Sequence, residues 1–178
     1  MTTIDPRFSE VPQFTVESAD MSNGRPLGAG QYNHRAGGAN ASPQLSWSGF
    51  PAETKSFAVT VFDPDAAGPG FWHWVVFNLP ASVTSLDAGA GAVGNRLPGG
   101  AITLANDAGQ RGYFGAGPPK GTGPHRYQFV VHAVDVDALD VGPDASPDEL
   151  GVALVTHTLA LAVLQATGVH GGASADQT

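Results

Sequence analysis

Five short apolar runs, each stopped by proline, glycine or asparagine, constrain this chain more than any other feature. They are QFTVES (13–18), PQLSWS (43–48), SFAVTVFD (56–63), HWVVFNL (73–79) and HRYQFVVHAV (125–134). β-Branched and aromatic residues dominate them and breakers bound them, so each is expected as a strand rather than a helix. The 24 glycines and 14 prolines are spread between the runs instead of gathered in one block. That distribution points to a turn-rich, mainly β globule and not to disorder. A length of 178 residues suits one domain with one core. The domain is expected over 12–170, with 1–11 and 171–178 as flexible ends because they are polar and lack any period.

Near the C-terminus the spacing predicts a helix over about 146–167. Ser146 is placed to cap it, Pro147 to take the first helical position and Glu149 to close a capping box. Leu150, Leu154, His157, Leu161 and Leu164 then follow as one apolar stripe, with Gly168 as the stop. His157 within that stripe is read as a hydrogen-bonded core or edge residue and not as a ligand. The intervals 23–42, 87–101 and 106–124 are expected as long loops, a class that more often serves function than connection alone.

Charge and composition exclude several functions. Eight Lys and Arg stand against 16 Asp and Glu, a formal net charge of -8. Without a basic cluster, nucleic acid and anionic membrane surfaces are poor general partners, so any anion must be bound locally. The absence of cysteine removes disulfides, thiolate zinc sites and thiol nucleophiles. There is no HExxH pair and no G-x-S-x-G elbow, so no catalytic residue, metal site or cofactor is assigned. The opening MTTIDPRFSEVPQF has no basic-then-apolar signal, and no run approaches the ~18 apolar residues of a membrane span. A soluble cytoplasmic protein is the expectation.

Strand parity carries the functional reading, because residues two apart share a sheet face. Phe57, Val59, Val61 and Asp63 form one row; His125, Tyr127, Phe129 and Val131 form another, with Arg126 and Gln128 turned away. His73, Val75 and Phe77 form a third, opposite Trp72, Trp74 and Val76. Asp63, His73 and the pair His125 with Tyr127 are therefore expected to end inward-facing rows around one polar pocket. A carboxylate from Asp63 or Asp65 in contact with a histidine would favour the imidazolium, a group suited to anions. The stretch GAGPPKGTGPHRY (115–127) leads into the last row. It is no P-loop, since Lys120 precedes Gly121 and two prolines remove amide donors. Its amides at Gly115, Gly117 and Gly121 are placed to complete an anion cradle.

The blocks SPQLSWSGFP, KSFAVTVFDPDA, FWHWVVFNLP, GPPKGTGPHRYQF and THTLALAVLQATG occur in this order within about residues 12–168. With them the chain resembles the phosphatidylethanolamine-binding protein family, in its bacterial Raf-kinase-inhibitor-like branch, and particularly the actinobacterial members. The resemblance implies a β-sandwich-like fold with a few helices and a small pocket for phosphate-like anions or phospholipid head groups. It sets Asp63, Asp65, His73, Pro119, His125 and Tyr127 on the family's ligand-site positions and Gly115 in the corresponding loop. Ala67, Phe71 and Ala116 depart from the family pattern and are expected to alter the rim and the aromatic wall. The implied function is a binding module for a small anion, a phosphorylated metabolite or a phospholipid head group. Two alternatives stand beside it: a regulatory protein that inhibits a protein kinase or protease through the same pocket, and a lyase, isomerase or metal-assisted enzyme. A homodimer is compatible with the resemblance.

Overall fold

The computed structural model describes residues 4–175. The predicted runs become strands of two antiparallel sheets. β1 (Thr15–Glu17), β2 (Leu45–Ser48) and β5 (Ser85–Leu86) make a small sheet in the order β1-β2-β5. β3 (Ser56–Asp63), β4 (Phe71–Pro80), β6 (Ile102–Thr103), β7 (His125–Val134) and β8 (Thr158–Gly168) make a larger one, ordered β6-β4-β3-β7-β8. The mainly β, sandwich-like architecture is thus the one the chain adopts, with helix α1 (Pro147–His157) and a short α2 (Gly172–Ala175).

Alternation sorts the large sheet's side chains into two layers. Val59, Val61, Phe129 and Leu164 turn towards the small sheet and pack with Leu45 and Trp47. Ala58, Val75, Phe77 and Leu161 turn the other way and pack with Phe8 and with Leu150 and Leu154 of α1. A strand covered on both faces must be apolar on both, which accounts for the nearly unbroken burial of β3.

The C-terminal helix is half the expected length. Its start is as read: the Ser146 hydroxyl accepts from the Glu149 amide, the Glu149 carboxylate accepts from the Ser146 amide, and Pro147 takes the first turn. The helix ends at His157, whose Nδ1 lies 2.7 Å from Asp135 Oδ1. From Thr158 the chain is strand, paired with β7 from Val134 back to His125. The stripe that predicted one helix misled because Leu161 and Leu164 lie on opposite faces of a sheet buried on both sides. Apolar residues then occur at every register, and helical spacing is satisfied without a helix.

The described parts of the two flanks each bury one residue, Phe8 and Ala173. A 3-10 turn, Pro6–Phe8, is capped by the Asp5 carboxylate and buries Phe8 edge-on against His132, with ring centroids 5.1 Å apart. At the other end α2 buries Ala173. Of the stretches expected to be flexible, residues 1–3 and 176–178 lie outside the described residues.

His132 sits in the outer layer, 4% exposed, and burial pushes its pKa down to about 3. His73 is lowered by burial as well. Between the unfolded value near 6.5 and these folded values, only the unfolded chain binds the protons. The stability each neutral histidine contributes is therefore complete above pH ~6.5 and falls as pH drops, by about 1.4 kcal/mol per pH unit for each group. Urea unfolding followed from about pH 7 to pH 4.5 should show this decline, and His132→Phe should make it shallower by one proton. An unchanged slope in that variant would mean that His132 takes up its proton in the folded state.

Candidate functional site

Asp63 is the last residue of β3, where Pro64 cannot extend the ladder. His125 opens β7, and the pairing of Val61 with Phe129 and Phe62 with Gln128 brings that opening beside Asp63. His125 Nδ1 lies 2.7 Å from Asp63 Oδ2, and the two side chains are 4% and 3% exposed. Asp63 Oδ1 accepts from the amides of Asp65 (2.8 Å) and Ala66 (3.1 Å). The carboxylate is an acceptor on both oxygens, so Nδ1 carries a proton and donates. On the far side of the ring, Nε2 is 2.9 Å from Thr122 Oγ1, which is also 2.9 Å from the Pro119 carbonyl. One hydroxyl proton serves one acceptor. Given to the carbonyl, it leaves Nε2 as a donor and the ring an imidazolium; given to Nε2, it leaves the ring neutral.

His73 reaches the same region by breaking strand alternation. β4 pairs Trp74 with Val61 and Trp72 with Phe62, which leaves His73 as the extra residue of a β-bulge. The bulge turns the ring inward, with its centroid 5.2 Å from Tyr127 and 4.7 Å from Phe71, and stacked on Phe114 at 6.3 Å. This corrects the parity reading, which grouped His73 with Val75 and Phe77; those two pack in the outer layer. His73 Nδ1 lies 2.6 Å from the Phe114 carbonyl, an acceptor, so Nδ1 donates. Burial holds the pKa below the ordinary value, and the neutral ring then presents Nε2 as an acceptor. At neutral pH this histidine is not the cation that an anion site would first suggest.

Tyr127, 2% exposed, packs edge-on against the His73 ring and belongs to the inner core layer. Burial, reinforced by the Asp63 charge, raises its pKa, while a hydrogen bond from the Gly117 backbone opposes the shift. The phenol stays protonated and keeps a proton to donate. Gly168 of β8 makes room for the ring, since a Cβ there would stand 2.7 Å from Tyr127 Cε2. The sequence reading gave that glycine the role of helix stop; its role is clearance.

The remaining expected residues shape the surroundings. The Gly115 amide donates to Asn40 Oδ1 at 2.7 Å, and its carbonyl accepts from Asn33 Nδ2 at 3.1 Å. Of the three glycine amides expected to cradle an anion, that of Gly115 is thus taken, and that of Gly117 acts on the Tyr127 hydroxyl. Gly121, at φ +85°, makes no hydrogen bond through its amide among the described residues. Asp65 does not meet a histidine's nitrogens. It holds Arg126 through both carboxylate oxygens, at 2.9 and 2.8 Å, and that guanidinium keeps its carboxyl below the usual range. Pro119 contributes its carbonyl to Thr122. Phe71 forms part of the aromatic wall around His73, and Ala116 is fully buried, with its amide bonded to the Gln31 carbonyl.

Sequence reasoning missed Thr122 and the Phe114 carbonyl. Thr122 had a signal, a hydroxyl between two glycines three residues before His125. A backbone carbonyl has none. Among the described residues no group of three or more His, Asp or Glu is arranged to hold a metal ion. Cavities of about 500, 460 and 360 Å³ are lined by other parts of the molecule.

This arrangement of strands and side chains has counterparts among known proteins. The family model described as phosphatidylethanolamine-binding protein matches residues 17–169. The UPF0098 protein YbcL of Escherichia coli K12 is 44% identical over 158 residues, covering 86% of either chain. YbhB of the same organism is 48% identical over 130 residues, covering 72% of this chain and 82% of its own. The crystal structure of E. coli YbcL, described as a new member of the mammalian PEBP family, matches with a TM-score of 0.83 at 42% identity, over 88% of this chain and 98% of that one. A sequence match that runs from the end of β1 through β8, joined to a solved relative that shares both sheets' fold, leaves one conclusion: the chain belongs to the phosphatidylethanolamine-binding protein family.

Proposed function

We propose that this protein binds a small anion, a phosphorylated metabolite or a phospholipid head group at the end of the sandwich marked by Asp63, His73, His125 and Tyr127. The observation that carries the reading is their convergence. Three strands, far apart in sequence, carry two contacting pairs, Asp63 with His125 and His73 with Tyr127, near enough that the charges of Asp63 and His125 act on His73. In this reading His125, steadied by Asp63, supplies a donor and, as imidazolium, a positive charge. Tyr127 supplies a hydroxyl proton. Neutral His73 supplies an acceptor, which suits a ligand that also brings a proton, such as a singly protonated phosphate or the ammonium of an ethanolamine group. Asp65 and Pro119 act indirectly, through Arg126 and Thr122.

The reading needs no activated nucleophile and assigns no catalytic group. Action on a kinase or protease rests on family resemblance and draws on no contact described above. A cytoplasmic setting is part of the same proposal; among the described residues no helix is long and apolar enough to cross a membrane.

His125→Ala should weaken phosphate binding by ~1–3 kcal/mol, the scale of a lost charge-assisted hydrogen bond. Arg126→Ala, whose guanidinium is already held by Asp65 on the opposite face, should weaken it less. Isothermal titration of both variants tests this, and equal losses would remove His125 from its assigned role. A second titration uses sulfate, whose own charge is constant across the range. Because burial holds His73 neutral, positive charge is added there only below its lowered folded pKa, so sulfate affinity should rise as the pH falls through that point, below the ordinary histidine value. His73→Gln should abolish that component of the rise, and a flat wild-type profile would refute it.

A further inference from the structure

The outer face of the large sheet holds a cavity of about 500 Å³ that the proposed anion site does not use. Its floor is made by β3, β4, β7 and β8 through residues such as Thr60, Val75, Val130 and Leu161; α1 covers it with Leu150 and Leu154, and the Pro6–Phe8 turn closes one side. The volume is that of a small-molecule pocket, and the walls are largely hydrocarbon.

Three buried polar side chains, Thr60, Gln128 and His132, break that apolar lining, and Gln128 Nε2 donates to Gln165 Oε1 at 3.2 Å. Thr60 is 5% exposed, and its hydroxyl makes no hydrogen bond among the described residues. His132 is 4% exposed; Nδ1 lies 3.2 Å from Thr158 Oγ1, while Nε2 has no hydrogen-bond partner among the described residues. Both side chains line the cavity. With Ala58 opposite His132 and Thr60 opposite Val130, they are diagonal neighbours on adjacent strands, close enough to serve one small head group. Neither the Thr60 hydroxyl nor His132 Nε2 is among the buried polar atoms sealed off without a partner, which among the described residues are the indole nitrogens of Trp47 and Trp74; both open into the cavity, where a ligand oxygen can take the place of water.

The charges at the edge select against ions. Arg7 is held by Asp5 through side-chain bonds of 2.9 and 2.6 Å, and Arg126 is held by Asp65. Asp107 and Asp148 add negative charge to the lining without a further cation. An anion finds no uncommitted guanidinium here, and a cation entering the apolar interior would lose its hydration without a facing carboxylate on the floor.

We propose that this cavity is a second ligand site, which takes a neutral, largely apolar small molecule of about bicyclic size and fixes it by one hydroxyl or carbonyl between Thr60 and His132. The inference stands apart from the anion-site reading. The probes that test it are 2-naphthol and naphthalene, which differ by one hydroxyl, titrated into the full chain and followed by amide NMR. 2-Naphthol should saturate, with shifts centred on Thr60, Val130 and Leu154, and bind about fivefold more tightly than naphthalene, the value of one hydrogen bond. Thr60→Val, which keeps the shape and removes the hydroxyl, should shrink that preference at least twofold, and Val130→Trp, which fills the half-open floor, should abolish binding of both. Equal affinities for the two probes in the wild type, an unchanged preference in Thr60→Val, or shifts that map to another part of the molecule would each overturn the proposal.

Discussion

β3 is hydrogen-bonded along both edges, to β4 and β7, and covered on both faces. Everything of interest is arranged around that constraint. A strand with no free edge and no free face can place a charged group with least cost at its end, and Asp63 is at that end. The same two-sided burial forces β4 and β7 into register beside it, which delivers His125 and Tyr127 on one face and Thr60, Val130 and His132 on the other. The proposed anion site and the outer cavity are two products of one sheet, on its opposite faces.

Much of this was legible in the sequence because strands obey a period of two. The rows ending in Asp63 and in His125 with Tyr127 hold as read, and the bounds of β3 and β7 coincide with their apolar runs. The failures have physical causes. His73 was placed in the wrong row, since a β-bulge inserts one residue and reverses the parity beyond it, and no local residue type announces a bulge at a histidine between tryptophans. The helix was drawn across Thr158–Gly168 because a strand buried on both faces has no polar phase to betray it. The two-residue strands β5 and β6 carry too little sequence to be read at all. Asp65 was a candidate by family position, yet its carboxylate is committed to Arg126, a pairing that depends on which side of the turn each side chain leaves.

The Asp63 and His125 pair has a cost as well as a use. Desolvating two ionisable groups is expensive, and such pairs stabilise a fold only when their remaining hydrogen-bonding capacity is met. Here it is met: two backbone amides serve the carboxylate, and Thr122 serves the ring. That completeness leaves the imidazole oriented before any ligand arrives, which is what a preorganised donor requires. His73 is prepared by the same means, with the Phe114 carbonyl fixing one nitrogen so that the other is presented with a defined role. In the proposed function the site offers one donor and one acceptor, a combination that would select ligands by their protonation and not by charge alone.

The central claim is that the two imidazoles and their partners act as one binding unit. Histidine ring resonances followed by NMR during a phosphate titration address it directly. The account predicts that the rings of His73 and His125 shift together with a single saturation constant, while those of His132 and His157 hold their positions. Saturation that leaves both inner rings unmoved, or moves only the rings elsewhere, would contradict it.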